Sequence, residues 1–197
     1  MRASTRREFI AGPAGRIECA VDTPEGHVRG IALIAHPHPL FGGTLDNKVV
    51  QTLARAFVDL GYEAWRANFR GVGATEGLHD EGRGELEDLA AVLKSIRTER
   101  FVLAGFSFGA SLVARLAERA KPEWLVLVGI GVTRLAAPPV PGSTLVIHGE
   151  NDETVPLAMV LDWARPQDVP VVVVPGADHF FHRKLQVIKR IVQANCR

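Results

Sequence analysis

Six short runs of apolar, often branched residues recur along the chain, and they constrain its fold more than any other feature. They are GIALIA (30–35), YEAWRANF (62–69), RFVLAGF (100–106), WLVLVG (124–129), STLVIHG (143–149) and VPVVVVPG (169–176). Most are nearly continuous in apolar residues rather than alternating, which predicts strands covered on both faces. Between them the apolar period changes to that of a helix. Asp46 opens a helix with Val49, Leu53 and Phe57 on one face and Gly61 as its stop. Leu86, Leu89, Leu93 and Ile96 form a second stripe, Leu112, Val113, Leu116 and Ala117 a third, and Leu185, Ile188, Ile191 and Val192 a fourth. Alternation of strand and helix predicts an α/β fold with a mostly parallel central sheet and helices on both faces. A further strand near IECAV (17–21) is expected to pair at the N-terminal edge, and the proline cluster AAPPVPG (136–142) reads as a loop.

Length and charge narrow the function. At 197 residues, 47% of them hydrophobic, the chain can bury a full core, which predicts one domain over residues 1–197. Lysine and arginine number 23 against 22 acidic residues, so the imbalance that marks nucleic-acid or polybasic membrane binding is missing. The basic runs MRASTRR and HRKLQVIKR read as a solvated terminus and a helix face. Cys19 and Cys196 stand at opposite ends, with neither a disulfide framework nor metal-ligand spacing. No apolar segment follows the basic N-terminus, and WLVLVGIGV is too short to span a bilayer. The expectation is a cytoplasmic protein with no nucleic-acid or membrane partner; the sequence carries no signal of oligomeric state.

In an open parallel sheet, ligands bind beyond the carboxyl ends of the strands, where loops and helix N-termini converge. Gly105, Ser107 and Gly109 make G-x-S-x-G where a strand hands over to a helix. The tight turn forces the serine into a strained conformation, and the small residues two before and two after let strand and helix approach closely. A helix starting at the serine favours negative charge beside it. The same pattern could serve as a glycine-rich turn with a serine cap. A serine nucleophile needs a base and a group to orient that base. Asp152 lies three residues past one strand end and His179 in the loop after another, and the order Ser107, Asp152, His179 is that of α/β-hydrolases.

From about residue 29 to the end the chain resembles the α/β-hydrolase superfamily, through HPHPLFGG, NFRGVGATEG, GFSFGA, HGENDETVP and GADHFF. Within it the chain is most similar to small bacterial serine hydrolases without a lid, related to dienelactone hydrolases and carboxylesterases. Dienelactone hydrolases carry a cysteine nucleophile where this chain has Ser107, so their lactone substrate does not carry over. The resemblance selects Asp152 over Glu150, Glu153 and Asp178, and His179, in the pattern G-x-x-H-F, over His182. His148 reads as a satisfied structural histidine, while His27 and His79 carry no argument. Dehalogenases and epoxide hydrolases on this fold use an aspartate nucleophile, so Ser107 argues against both.

One oxyanion donor is expected from the backbone N–H of Phe108, directly after the nucleophile. The other comes from HPHPL, where Pro37 and Pro39 have no N–H, leaving His38 or Leu40. The resemblance points to His38, with Leu40 as the fallback. Prolines on either side would pre-organise that donor, whose loss costs about 3 kcal/mol of transition-state stabilisation. The HPH pair lacks the further ligands a metal site needs, so neither metal nor cofactor is expected. Gly42 and Gly43 read as turn residues with no P-loop lysine after them, and Arg70 as a buttress of the turn in NFRGVGATEG. Only about a dozen residues separate the strands between which relatives insert a lid, too few for a helical cap. An open, shallow site would favour short, soluble acyl esters or thioesters. The expected function is therefore a serine hydrolase with a small-molecule acyl substrate. The alternatives are a peptidase or acyltransferase on the same residues, or a non-catalytic ligand sensor on the same fold.

Overall fold

The six apolar runs become six parallel strands. The computed structural model describes residues 5–132 and 136–197. In chain order its strands are β1 (Thr5–Gly12), β2 (Gly15–Asp22), β3 (Gly30–Ala35), β4 (Tyr62–Ala67), β5 (Phe101–Phe106), β6 (Trp124–Val128), β7 (Leu145–Gly149) and β8 (Val171–Val174). They form one sheet in the order β1-β2-β4-β3-β5-β6-β7-β8. The pairs from β4 through β8 are parallel, whereas β1 with β2 and β2 with β4 are antiparallel.

Continuous apolarity follows from what covers each face. Along β5, Phe101 and Leu103 enter one core while Val102, Ala104 and Phe106 enter the other. The first core is closed by α2 (Arg83–Ile96), α3 (Phe108–Ala120) and α4 (Leu157–Ala164), through side chains such as Leu89, Leu112, Val113 and Val160. The second is closed by α1 (Lys48–Asp59) and α5 (Leu185–Asn195), through Val49, Leu53, Phe57, Ile188 and Val192. Each Leu, Ile or Phe removed from water in this way contributes about 1.5–3 kcal/mol. Truncating Phe57 or Leu103, both fully buried, would therefore cost more than any surface change.

Two expectations need correction, and one helix went unforeseen. The strand at residues 17–21 is β2, but it is not the edge, because β1 lies outside it as the other arm of a hairpin. Most β1 side chains are exposed, so the strand carries no apolar signature and is held by its backbone ladder. Helix α1 is opened by Asn47, not Asp46: the Asn47 carboxamide accepts from the N–H groups of Val49 (2.9 Å) and Val50 (3.4 Å). Asp46 instead pairs with Arg7 and Arg66. Helix α4 had no sequence signal, being eight residues of almost unbroken apolar character with no readable polar face. Between β6 and β7 the described residues form no helix, as the lid-less architecture requires, and residues 133–135 of that loop lie outside the described residues. Among the described residues no helix is long and apolar enough to cross a membrane.

Candidate active site

Register decides which loops meet. Ala35 of β3 stands beside Gly105 of β5, and Phe106 of β5 beside Val128 of β6. The residue after β5 therefore emerges between the loop after β3 and the loop after β6. That residue is Ser107, whose φ of 55° and ψ of −116° are a left-handed conformation few side chains adopt. Such strain costs on the order of 1–3 kcal/mol and persists only where the surroundings enforce it. Here they do: the Ser107 N–H donates to the Val128 carbonyl (2.9 Å), and α3 begins at the next residue. Glycines at 105 and 109 are obligatory for this approach. A Cβ on Gly109 would lie 2.4 Å from the His36 carbonyl oxygen, and one on Gly105 would lie 2.6 Å from the Gly109 backbone.

The loops after β7 and β8 bring in the other two side chains. The Ser107 hydroxyl donates to His179 Nε2 across 3.0 Å, and His179 Nδ1–H donates to Asp152 Oδ2 across 2.7 Å. Asp152 is held independently, because its Oδ1 accepts from the N–H groups of Thr154 (3.0 Å) and Val155 (2.7 Å). The Asp152 carboxyl is fully buried and the His179 side chain 5% exposed, so both bonds lie away from competing water. The sequence thus named three residues that the fold joins in one line. Their rivals are elsewhere: Glu150 accepts from the Gly176 N–H, Glu153 is exposed, and Asp178 pairs with His182 at the surface.

His148 is only partly satisfied. Its Nε2 bonds the Val155 carbonyl (2.8 Å) and lies 3.4 Å from Asp152 Oδ2, whereas its Nδ1 is buried without a hydrogen bond. Burial lowers its pKa, so the ring stands beside Asp152 as a neutral group. It backs the carboxylate without competing for its charge.

The loop after β3 is fastened at its start by His36, which is fully buried. The Phe69 N–H donates to Nε2 (3.0 Å), leaving Nδ1–H to donate to the Pro37 carbonyl (2.7 Å). Burial pushes the His36 pKa down to about 4, so the ring is neutral in the folded protein near neutral pH. Beyond it, Pro39–Phe41 make a single 3-10 turn closed by Gly42 in the left-handed region (φ 77°). The Leu40 N–H donates to His38 Nδ1 (3.3 Å), so this backbone donor is committed within the loop. The other donor expected of this loop is the His38 N–H. Phe108, the first residue of α3, has an N–H with no acceptor inside its helix.

Around these groups the surface is open and aromatic. Leu40 is 66% exposed, Phe41 72% and Phe180 50%. The His38 ring meets Phe41 (4.9 Å between centroids) and Phe108 (4.7 Å), and Phe180 meets His179 (5.2 Å). Arg70 is the buttress its position suggested: its guanidinium makes two bonds to Asp88 (2.7 and 2.8 Å) and one to the Gly84 carbonyl (2.8 Å), tying the turn to α2. Among the described residues no three histidine, cysteine or carboxylate side chains are grouped to hold a metal ion. Burial raises both cysteine thiols to about 12, which leaves them unreactive.

Sequence reasoning missed His79. Its ring lies 5.0 Å from that of His38 and 6.0 Å from that of Phe108, and its Nδ1 bonds Glu85 (2.7 Å). Only the G-x-x-E spacing of Gly82 and Glu85, a helix-start pattern, could have drawn attention to this turn.

No family model matches the chain. It is 32% identical to an uncharacterized protein of Rickettsia prowazekii (strain Madrid E), over 93% of this chain and 85% of that protein. Among solved structures it is similar to an alpha-beta serine hydrolase homologue from Coxiella burnetii, with 38% identity and a TM-score of 0.87, covering 98% of this chain and 97% of that one. It is also similar to a serine hydrolase without a lid from Xanthomonas campestris, with 36% identity and a TM-score of 0.90, covering 100% of this chain and 95% of that one.

Proposed function

The chain belongs to the α/β-hydrolase superfamily, among its small serine hydrolases without a lid, and from that premise we propose that it cleaves a short acyl ester or thioester through an acyl-enzyme on Ser107. The observation that carries this reading is the unbroken line from the Ser107 hydroxyl through His179 (3.0 Å) to Asp152 (2.7 Å). A free serine hydroxyl is a weak nucleophile, and a base within hydrogen-bond reach removes that limit. His179 Nε2 takes the proton as Ser107 Oγ attacks the carbonyl carbon, and Asp152 keeps Nδ1 protonated and stabilises the cation formed. The carbonyl oxygen, now carrying negative charge, is received by the backbone N–H groups of Phe108 and His38, supported by the N-terminus of α3. Collapse of the tetrahedral species expels the alcohol or thiol, which collects its proton from His179. Water then attacks the acyl-serine with His179 as base, releasing the acid and restoring the hydroxyl.

The open rim sets the substrate class. With no lid to enclose a long chain, little of an acyl tail would be buried, so short and soluble substrates fit best. Near-balanced charge gives no field for nucleic acid or an anionic membrane, in keeping with a cytoplasmic enzyme acting on small molecules.

Labelling with a fluorophosphonate probe tests the reading. The expected result is one modified residue, Ser107, with labelling lost in Ser107→Ala, followed by turnover of p-nitrophenyl esters that declines as the acyl chain lengthens. A folded protein that takes no label would overturn the acyl-enzyme and leave the fold serving as a ligand sensor.

A further inference from the structure

The proposed mechanism uses one buried histidine–carboxylate pair and leaves a second without a role. Glu85, at the third position of α2, is fully buried and 0% exposed. Its carboxylate is held by the N–H groups of Asp80 (2.9 Å) and Gly82 (2.9 Å) and by His79 Nδ1 (2.7 Å). The Gly82 bond closes the start of the helix, as a cap does. The His79 bond adds nothing to the helix; it fixes the plane of an imidazole.

That imidazole faces the other side of the proposed site. The rings of His79, His38 and Phe108 form a closed triangle, with centroid separations of 5.0 Å (His79 to His38), 6.0 Å (His79 to Phe108) and 4.7 Å (His38 to Phe108). Two of its corners are the residues whose backbone N–H groups are assigned to the oxyanion. The third is anchored outside both loops, on α2. His79 Nε2 is buried with no hydrogen bond, its nearest charged neighbour being Glu81 Oε1 at 3.7 Å. Leaving such an atom unpaired costs free energy that a phenylalanine of similar size would avoid. A phenylalanine, however, would give Glu85 nothing to grip.

We propose that His79 is a positioning residue for the oxyanion hole: tethered through Nδ1 to Glu85, its ring wedges His38 and Phe108 so that the two backbone donors keep a fixed separation. The inference rests on the acyl-transfer reading. It gives the loop after β3 a second support, with His36 fastening its start from β4's side and His79 bracing its middle from α2. Such bracing matters because a displacement of about 1 Å at a reacting geometry can cost on the order of a hundredfold in rate.

Steady-state kinetics on a short p-nitrophenyl ester, with inhibition by a trifluoromethyl ketone that forms a tetrahedral oxyanion on Ser107, would test this in the whole protein. His79→Ala should lower kcat by roughly tenfold to a hundredfold with KM within about twofold, and weaken the ketone by the same factor as kcat/KM. Glu85→Gln should give a smaller loss in the same two readouts, and the double variant should be no worse than His79→Ala, because both changes break one tether. Wild-type kcat in His79→Ala would overturn the proposal. So would a rise confined to KM, which would make His79 a substrate contact, or a fall in kcat with ketone affinity intact. Should His79→Ala fail to fold, Glu85→Gln carries the same readouts. Failure of the underlying reading looks different: wild type itself would neither label at Ser107 nor lose activity in Ser107→Ala.

Discussion

Two loops of this protein hold the same device and put it to different ends. After β8, His179 Nδ1 meets Asp152 at 2.7 Å; before α2, His79 Nδ1 meets Glu85 at 2.7 Å. Each carboxylate is fully buried, and each accepts two further backbone N–H bonds, from Thr154 and Val155 in one case and from Asp80 and Gly82 in the other. What separates them is the far nitrogen. His179 Nε2 stands 3.0 Å from a strained serine hydroxyl, whereas His79 Nε2 is buried with no hydrogen bond. A third pair, His182 with Asp178, is as short at 2.6 Å but lies at the surface, with 72% of the histidine side chain exposed. The length of a histidine–carboxylate bond is therefore no guide to chemistry. A pair becomes a base only where the fold sets a proton donor in front of it, and a brace where the fold sets rings there instead.

The contrast can be broken most sharply at the first pair. His179→Ala and Ser107→Ala should each lower kcat by about 10⁵- to 10⁶-fold, measured on a short ester, with thermal stability close to wild type. Asp152→Asn should cost about 10⁴-fold, since the amide favours the wrong imidazole tautomer. Equal losses from His79→Ala and His179→Ala would erase the distinction between brace and base.

A next, smaller effect concerns stability. His36 has its folded pKa depressed to about 4, so the unfolded chain binds its proton first as pH falls. The stability tied to its neutral form is whole above about pH 6.5 and is lost between there and about pH 4, for a total of about 3 kcal/mol. His148, also lowered by burial, adds in the same direction. Denaturant melts across this window should show the loss, and His36→Asn should flatten it. Smallest of all is Cys196→Ser, which should leave turnover unchanged, as a buried thiol raised to about 12 takes no part in the chemistry.

Much of the site was legible because its requirements are local. A serine between two glycines at a strand-to-helix turn announces itself through backbone geometry, and Asp152 and His179 stand within a few residues of strand ends whose apolar runs are unmistakable. The same logic explains the failures. Strand β1 is mostly exposed and held by backbone bonds, which no side-chain pattern records. Asn47 and Asp46 are both good helix openers, and only Arg7 and Arg66, distant in the chain, draw Asp46 away. His79 was passed over because nothing near it in sequence suggests that its neighbours would be His38 and Phe108.

By itself, then, the sequence determined the strand and helix periods, the parallel class of the sheet and the turn that exposes Ser107, since each depends on residues a few positions apart. The tertiary structure decided which histidine–carboxylate pair faces a serine hydroxyl and which faces the rings of His38 and Phe108. Those choices depend on strand register and on segments far apart in sequence, such as Ser107 with His179 (72 residues) or His79 with Phe108. Such distances are closed only by burying the two cores, and the hydrophobic effect that drives that burial is indifferent to the polar contacts it brings together.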